Sequence, residues 1–335
     1  MTIKDIAKLS GYAVGTVSRV LNNRPDVSEE ARAKVMAVVE AHHFTRNSNA
    51  KHLKQQASSG VALIVKGTQN MLFADLVERI QTRIRDSGYP SLIYYIDEDD
   101  DEIDQAIRVC RERRPMGILF LGSNLSLFRA GFHSITIPCV LVTNSAAGLD
   151  QPNLSSVSTD DTDGARRAVE RLMELGHRTI GILGGRAEQS DAAQARLEGV
   201  RQAFADRGLV LDEASQYETA RFDLSGGYAA MERLLDKLPG MTAVFAMSDV
   251  QALGAMRALH DRGLRVPEDI SILGYDGIVL GRYAVPRLTT VRQDAQRLAE
   301  RSVDLLIHQI QDGAKPAHEL IPYTFLEGES VKERT

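Results

Sequence analysis

Residues 16–22 read Thr16-Val17-Ser18-Arg19-Val20-Leu21-Asn22, and the organisation of the whole chain follows from this stretch. Its apolar side chains recur at helical spacing, which predicts a short amphipathic helix. A second short amphipathic segment precedes it, and Thr2 and Asp5 at its start are spaced like a capping box. The apolar residues that share one face of this first segment are Ile3, Ile6, Ala7 and Leu9.

Gly11 lies between the two segments, where it suits the tight turn of a helix-turn-helix. In that motif the second helix enters the DNA major groove. Hydroxyl groups there can reach phosphate oxygens, and an arginine can bond to a guanine edge. By periodicity alone, a small helical cap on a larger domain fits equally well. The residues that face outward on the second helix are Val14, Gly15, Thr16, Ser18 and Arg19.

Composition sets broad limits. A chain of 335 residues can form two or three domains, and 43% hydrophobic with 25% charged residues is typical of a soluble globular protein. No apolar run approaches the roughly 18 residues of a membrane helix, and the N-terminus has no apolar signal region, so we expect a cytoplasmic protein. Cys110 and Cys139 form no disulfide framework or metal spacing and are expected to be buried thiols.

Charge is unevenly distributed along the chain. The net charge is −5, but residues 1–57 carry nine basic and five acidic residues, a net charge of +4, which leaves −9 for the remainder. A basic head on an acidic body is the pattern expected of a DNA-binding module.

After the second helix, Ser28 is a plausible N-cap for a third helix, whose Val35, Val38 and Val39 would close a three-helix head. From Val61 onward, short apolar runs alternate with helical segments, and this alternation restarts near Thr179. Strand–helix alternation predicts βαβ units and parallel sheets covered on both faces by helices. The predicted core therefore has two doubly wound lobes, with a ligand site in the cleft between them.

Other patterns have simpler explanations. The acidic run 97–102 could be a metal site, but a solvated helix start is the preferred interpretation, and the glycines of 181–186 fit a strand-end turn rather than a phosphate loop. The His and Asp residues form no nucleophile–base arrangement, so no catalytic residue, metal or cofactor is predicted.

Two N-terminal segments, Thr2-Ile3-Lys4-Asp5-Ile6-Ala7 and Thr16 to Asn23, resemble the head of the lac repressor/gal repressor family of bacterial transcription regulators. The resemblance continues in Leu175-Gly176-His177-Arg178, in Gly274-Tyr275-Asp276 and in residues 286–293. It implies a DNA-binding head, a hinge and a two-lobed core like that of periplasmic sugar-binding proteins. In the hinge, Ala50 and Leu53 would be the small residue and the minor-groove wedge; a flexible polar linker is the alternative.

The resemblance also implies two sets of site residues. The predicted DNA-binding set is Thr2, Val14, Gly15, Thr16, Ser18, Arg19, Asn22, Asn47, Ala50 and Leu53. The predicted effector-binding set is Asn70, Leu72, Phe73, Asp160, Asp163, Arg196, Phe222, Ser248, Asp276 and Gln293. Carboxylates and Arg suit hydroxyl pairs, and an aromatic face suits a sugar ring. Simpler roles remain open: Asp163 as a helix start, Phe222 as core, and Arg196 as the partner of a surface acid.

The sequence departs from the family pattern at a few positions. Tyr12-Ala13 replaces Val-Ser, and Arg46 replaces the proline before the hinge. In the cleft, Ser248 replaces Asn, Thr143-Asn144 replaces Asp-Arg, and Met71-Leu72 replaces Pro-Phe.

The predicted domains are a head over 1–46, a hinge and linker over 47–60, and a core over 61–335. Within the core, the first lobe is predicted at 61–159 and 290–321 and the second at 160–289 and 322–335. The predicted function is a homodimeric repressor of a carbohydrate-use operon, with operator DNA and a small sugar-like effector as partners. A binding protein without DNA function and an enzyme on a doubly wound fold are the alternatives.

Overall fold

The structure is a computed structural model that divides into two units, Met1–Ala57 and Ser58–Thr335. The residues that it describes are 3–21, 24, 27–42, 60–67 and 69–334. Five predicted DNA-binding residues lie outside the described residues: Thr2, Asn22, Asn47, Ala50 and Leu53.

The first unit contains three helices among its described residues, α1 (Ile3–Ser10), α2 (Val14–Leu21) and α3 (Glu29–Ala41). Gly11 has φ +74°, a conformation that glycine adopts without steric cost, and its backbone N–H bonds to the carbonyl of Ala7. Ser28 caps α3 by accepting from the Ala31 N–H at 3.3 Å, as predicted.

A small apolar core joins the three head helices. It is formed by Ile6, Ala7, Val17, Val20 and Val35, and Val38 and Val39 pack beside it. Leu9, predicted on the same face of α1, is instead 53% exposed, because a core this small is filled from Ile6 and Ala7.

Among its described residues, the second unit contains two six-stranded sheets. Their strands alternate with helices along the chain, as predicted. In chain order the first lobe begins with β1 (Val61–Lys66), α4 (Met71–Asp86), β2 (Ser91–Ile96), α5 (Glu102–Arg113), β3 (Gly117–Leu121), α6 (Leu125–Gly131), β4 (Cys139–Val142) and β5 (Leu154–Ser158). The second lobe then follows with α7 (Asp161–Glu174), β6 (Ile180–Gly184), α8 (Asp191–Asp206), α9 (Glu213–Gln216), β7 (Tyr217–Thr219), α10 (Leu224–Lys237), β8 (Ala243–Ala246), α11 (Asp249–Asp261), β9 (Ser271–Asp276) and β10 (Thr289–Arg292). The chain ends with α12 (Ala295–Asp312), β11 (His318–Leu320) and β12 (Thr324–Leu326).

The first sheet has the order β11-β5-β4-β3-β1-β2 and is parallel throughout. The second has the order β12-β10-β9-β8-β6-β7, and only β12 runs antiparallel to its neighbour. Both sheets are covered on two faces. In β1, for example, Leu63 packs into one apolar cluster, while Ala62 and Ile64 pack into the other. Burial on both faces explains why the strands are almost continuously apolar in sequence.

The predicted lobe boundary at residue 290 is wrong by a few residues. β10 pairs with β9 and β12 in the second sheet, so residues 290–292 belong to the second lobe. The chain therefore crosses between the lobes just after β10, at Gln293 and Asp294, rather than at residue 290. Asp294 caps α12 by accepting from the Arg297 N–H, and α12 packs on the first sheet. The other crossings follow β5 and β11, close to the predicted positions.

Some strands lack the long apolar run that marks the others in the sequence. β5 contains three serines, and β7 has three residues at the sheet edge. Among the described residues, no helix combines the length and apolarity needed to cross a membrane.

Candidate functional site

The second helix of the head, α2, carries the predicted DNA-reading residues on its outer face. Val17 and Val20 are buried against the other head helices, while Val14, Gly15 and Arg19 are exposed. A Cβ added to Gly15 would meet nothing within 4 Å, so this position leaves open space on the helix surface. Thr16 and Ser18 are half-buried.

A cavity of about 390 Å³ lies between the two lobes of the core. Its walls come from strand-end segments of both sheets, as expected for doubly wound folds. Seven of the ten predicted effector residues line it: Asn70, Leu72, Phe73, Arg196, Phe222, Asp276 and Gln293.

Arg196 of α8 is the buried charge at the base of this cavity. Only 4% of it is exposed, because its guanidinium is enclosed by acids and an aromatic ring. Its Nε bonds to Asp161 at 3.0 Å, its Nη2 lies 3.5 Å from Asp276, and Nη1 donates to the carbonyl of Met247. The guanidinium carbon also lies 3.8 Å from the centre of the Tyr275 ring, a cation–π contact. Two carboxylates and one carbonyl thus fix the orientation of one buried cation.

Asp276 is held at the end of β9 in an unusual backbone conformation, with φ 112°. Gln293 donates to its Oδ1 at 2.9 Å, and the backbone N–H of Gln293 bonds to its carbonyl. Burial raises the pKa of Asp276 to about 6, and the nearby Arg196 opposes that rise. Asp276 therefore presents a carboxylate whose charge changes near neutral pH.

Two buried polar atoms of the cavity wall have no hydrogen-bond partner among the described residues. They are the Oγ of Ser123, from the first lobe, and the Oε1 of Gln293, at the lobe crossing. Buried polar groups are almost always satisfied, so a rotation of either side chain toward the cavity would let a bound molecule supply the missing partner.

Aromatic rings from each lobe add an apolar surface to the cavity. Phe73 packs over Gly122, where an added Cβ would lie 3.0 Å from the ring, and Phe222 packs over Gly185, where it would lie 2.6 Å away. Both glycines occupy strand-end turns. Because neither glycine has a side chain, each ring can pack directly against the backbone at the cavity wall.

Three predicted effector residues do not line the cavity. Asp160 is exposed and caps α7 by accepting from the Asp163 N–H at 2.9 Å. Asp163 accepts from the hydroxyl of Tyr323 and pairs with Arg166, which matches its simpler role at a helix start. Ser248 is fully buried and caps α11 through the Gln251 N–H. Asp160 and Ser248 thus serve as helix N-caps, whereas the Asp163 side chain is bound by Tyr323 and Arg166.

The sequence interpretation missed Asp161, which lies between two of the wrongly placed acids. It is the first residue of α7, and its side chain turns inward to Arg196. A further set of polar lining residues was also missed: Lys66, Glu98, Asp99, Ser123, Gln189, Ser190, Arg221 and Arg233. Thr143 and Asn144, noted only as departures, line the cavity too.

The sequence of this chain is similar to those of known families and proteins. Residues 2–47 match the family described as "Bacterial regulatory proteins, lacI family", and residues 169–331 match a "Periplasmic binding protein-like domain". The chain is 34% identical to the HTH-type transcriptional regulator MalR of Clostridium butyricum, over 98% of this chain and 99% of that protein. It is 32% identical to the ribose operon repressor of Haemophilus influenzae, over 93% of this chain and 92% of that protein.

Solved structures match this chain over nearly its full length. A lac repressor dimer bound to operator and the anti-inducer ONPF matches with a TM-score of 0.77 and 25% identity, over 99% of both chains. A complex of the transcriptional regulator CelR with cellobiose matches with a TM-score of 0.71 and 27% identity, over 98% of this chain and 99% of that chain. The head, the two lobes and these full-length similarities together show that the chain belongs to the LacI family of bacterial regulatory proteins.

Proposed function

We propose that this protein is an operator-binding transcriptional repressor of a carbohydrate-use operon, controlled by an uncharged sugar that binds between the two lobes. The observation that carries the proposal is the cavity itself. It combines a buried Arg196–Asp276 pair, two unsatisfied buried acceptors and two aromatic rings. This combination suits a molecule with many hydroxyl groups and an apolar ring face.

The charge of the cavity favours a neutral effector over an anion. Five cations line it, and each already has a carboxylate partner between 2.6 and 3.8 Å away. Three lining residues are themselves carboxylates, Glu98, Asp99 and Asp276, and the other partners lie outside the wall, so each lining cation is already paired. A phosphate or uronate would therefore find no unpaired cation among the described lining residues to neutralise it.

Sugar-responsive relatives support the same choice. The relatives named above include a ribose operon repressor, and one of the matching structures holds cellobiose. PurR repressors, with 31 to 32% identity, are also among the relatives, so purines belong in the test. A role as a regulator rather than an enzyme rests on these relatives and the head. A repressor must meet its operator, so we place it in the cytoplasm.

The domain limits are part of the proposal: a head over 1–46, a hinge and linker over 47–60, and a core from residue 61. For the lobes we propose 61–159 with 294–321, and 160–293 with 322–335, which moves the boundary to the end of β10. The DNA contacts proposed from α2 are Val14, Gly15, Thr16, Ser18 and Arg19, and those proposed from the hinge are Asn47, Ala50 and Leu53. Thr2 and Asn22 complete the proposed set.

Each head has one short reading helix, so we propose that a homodimer binds a two-fold symmetric operator. An exposed apolar patch on the second lobe supports dimer formation. The patch consists of Val279, Leu280, Tyr283 and Val285, of which Tyr283 is 80% and Val285 95% exposed. Exposed large apolar side chains grouped over so few residues are typical of an interface.

A thermal-shift screen followed by an electrophoretic mobility shift tests the proposal. The screen should include neutral pentoses, hexoses and disaccharides, with hexuronates, sugar phosphates and purines as the charged and aromatic comparison. A neutral sugar should raise the melting temperature, since a ligand stabilises the folded state by mass action. The same sugar should change the affinity for DNA from upstream of the gene. Stabilisation only by anions or purines would reject the proposed effector, and no DNA binding would reject the repressor.

A further inference from the structure

Three acidic residues of one lobe surround a single arginine of the other at the edge of the cavity. Asp97, Glu98 and Asp99 follow β2 in the first lobe, and Arg221 lies between β7 and α10 in the second. The Arg221 guanidinium lies 2.6 Å from Asp97, 2.8 Å from Glu98 and 3.0 Å from Asp99. Arg186, also of the second lobe, is 3.8 Å from Asp99.

These ion pairs form part of the cavity wall. Glu98, Asp99, Arg186 and Arg221 all line the cavity wall. In addition, the backbone N–H of Phe222 donates to Glu98 across the lobes at 3.4 Å. The Phe222 ring is one of the two aromatic walls, so the contact that joins the lobes also positions a ring that would face a ligand.

Contacts within the second lobe hold the backbone around Arg221, and they do not depend on the acids of the first lobe. The buried amide of Gln251 donates to the carbonyls of Ala220 and Arg221 at 3.2 and 3.3 Å. Gly226 lets the Arg221 backbone approach α10 closely, because an added Cβ there would lie 2.7 Å from the Arg221 carbonyl oxygen. The arginine is therefore presented by the second lobe alone.

The acidic turn is likewise held by hydrogen bonds within the first lobe. Asp97 accepts from the Asp99 N–H at 3.1 Å, and Asp100 accepts from the Asp97 N–H at 2.9 Å. Asp101 then caps α5 through the N–H groups of Ile103 and Asp104. Since each half is organised by its own lobe, the pairs between them form or break as a unit when the lobes move.

We propose that Arg221 and the acidic turn Asp97–Asp99 form an interlobe clasp that holds the cleft closed over the cavity. The clasp regulates access to the effector site, so its biological role rests on the function proposed above. A single exposed ion pair contributes little to the stability of a conformation. Three carboxylates around one guanidinium form a network, which can contribute more. Opening the clasp should expose the cavity, release the Phe222 N–H and speed the exit of a bound sugar.

Hydrogen–deuterium exchange of the ligand-free full chain tests the clasp directly. Arg221→Gln and Glu98→Gln should each speed amide exchange in segments 97–100 and 220–223, by about tenfold for Arg221→Gln if three pairs of modest strength are lost. Raising NaCl to about 1 M should speed exchange in the wild type but have little further effect in Arg221→Gln, because salt screens the same pairs.

Arg262→Gln is the matched control. Arg262 is as exposed as Arg221 and pairs with Glu232 at 2.9 Å and Asp236 at 3.4 Å, but all three residues lie in the second lobe. It should leave exchange in both clasp segments as in the wild type. Equal exchange in wild type and Arg221→Gln, or an equal effect from Arg262→Gln, would overturn the clasp.

A sugar-release measurement separates the clasp from the proposed function. With cellobiose and ribose as probes, the dissociation rate from Arg221→Gln should exceed that from the wild type by about the same factor as the exchange rates. If neither these probes nor any other neutral sugar binds the wild type, the proposed effector fails while the exchange result still decides the clasp. If a sugar binds and leaves both proteins at the same rate, the clasp is wrong and the proposed function stands.

Discussion

At the residue scale, Asp276 connects the structure of the cavity to a measurable pH dependence. Its carboxylate is buried beside Arg196 and accepts from Gln293 at 2.9 Å. Burial raises its pKa to about 6 in the protein without effector. Hydroxyl donors of a bound sugar favour the ionised form, so the pKa in the complex must be lower.

Sugar affinity should therefore be full above about pH 6 and fall as the pH drops through that value, by up to about tenfold per pH unit. Titration calorimetry between about pH 5 and pH 8, a range that spans this pKa, measures the sugar affinity as a function of pH. Asp276→Asn should bind weakly and lose the pH dependence. Asp160→Asn is the control, because asparagine is an equally good N-cap and Asp160 lies outside the cavity wall. An unchanged profile in Asp276→Asn would exclude Asp276 as the titrating contact.

Arg19 gives a second residue-scale prediction, on the proposed DNA-reading helix. Arg19→Ala should cost about 1–3 kcal/mol of discrimination per half-site, as for a bidentate contact to guanine. Thr16→Ala and Ser18→Ala should instead weaken binding to all sequences alike, since phosphate contacts carry little sequence information. Binding-site selection and competition assays distinguish the two patterns. Uniform weakening by Arg19→Ala would assign this arginine to the phosphate backbone.

At the element scale, two glycines allow helices of the second lobe to pack unusually closely. A Cβ on Gly199 of α8 would lie 2.1 Å from the Thr162 carbonyl oxygen of α7, and one on Gly254 of α11 would lie 2.1 Å from that of Leu224 in α10. Backbone atoms cannot move aside as a flexible side chain can. These two contacts set the spacing of helices whose N-termini carry Asp161 and Asp249.

Gly199→Ala and Gly254→Ala should each reduce the free energy of unfolding by about 1–3 kcal/mol or more, because the added methyl group forces the helices apart. Urea denaturation measures the change. Gly148→Ala is the control: its Cβ would meet nothing within 4 Å, and the stability should stay near that of wild type. Gly199→Ala should also weaken sugar binding, since α8 carries Arg196. Wild-type stability in both variants would show that the helices can separate at little cost.

At the scale of the whole molecule, the apolar patch predicts assembly. Tyr283→Asp should convert the dimer to monomer at micromolar concentration, since a buried unpaired carboxylate is costly at an interface. It should also abolish tight operator binding, because one reading helix gives too small an interface. Sedimentation velocity and mobility shift measure the two effects. Val210→Asp, at a residue outside the patch that is 89% exposed, should stay dimeric. A dimeric Tyr283→Asp would place the interface elsewhere.

The sequence by itself determined the architecture and much of the cavity. Apolar runs alternating with helical segments predicted two parallel-sheet lobes, because strands buried on both faces must be apolar. Family motifs predicted Phe73, Arg196, Phe222 and Asp276, which the structure brings to one cavity. Most of them lie at or near a strand end or in the first turns of a helix, where local pattern and position in the fold are closely linked.

Only the tertiary structure decided which neighbouring acid serves which role. Asp160, Asp161 and Asp163 lie within four positions, yet only Asp161 turns inward to Arg196, because the others cap α7 or bond to Tyr323. The acidic turn at 97–99 was interpreted as solvated, and its partner Arg221 lies more than a hundred residues away in sequence. Local periodicity carries no information about such pairs, because they form only when the two lobes face each other across the cleft.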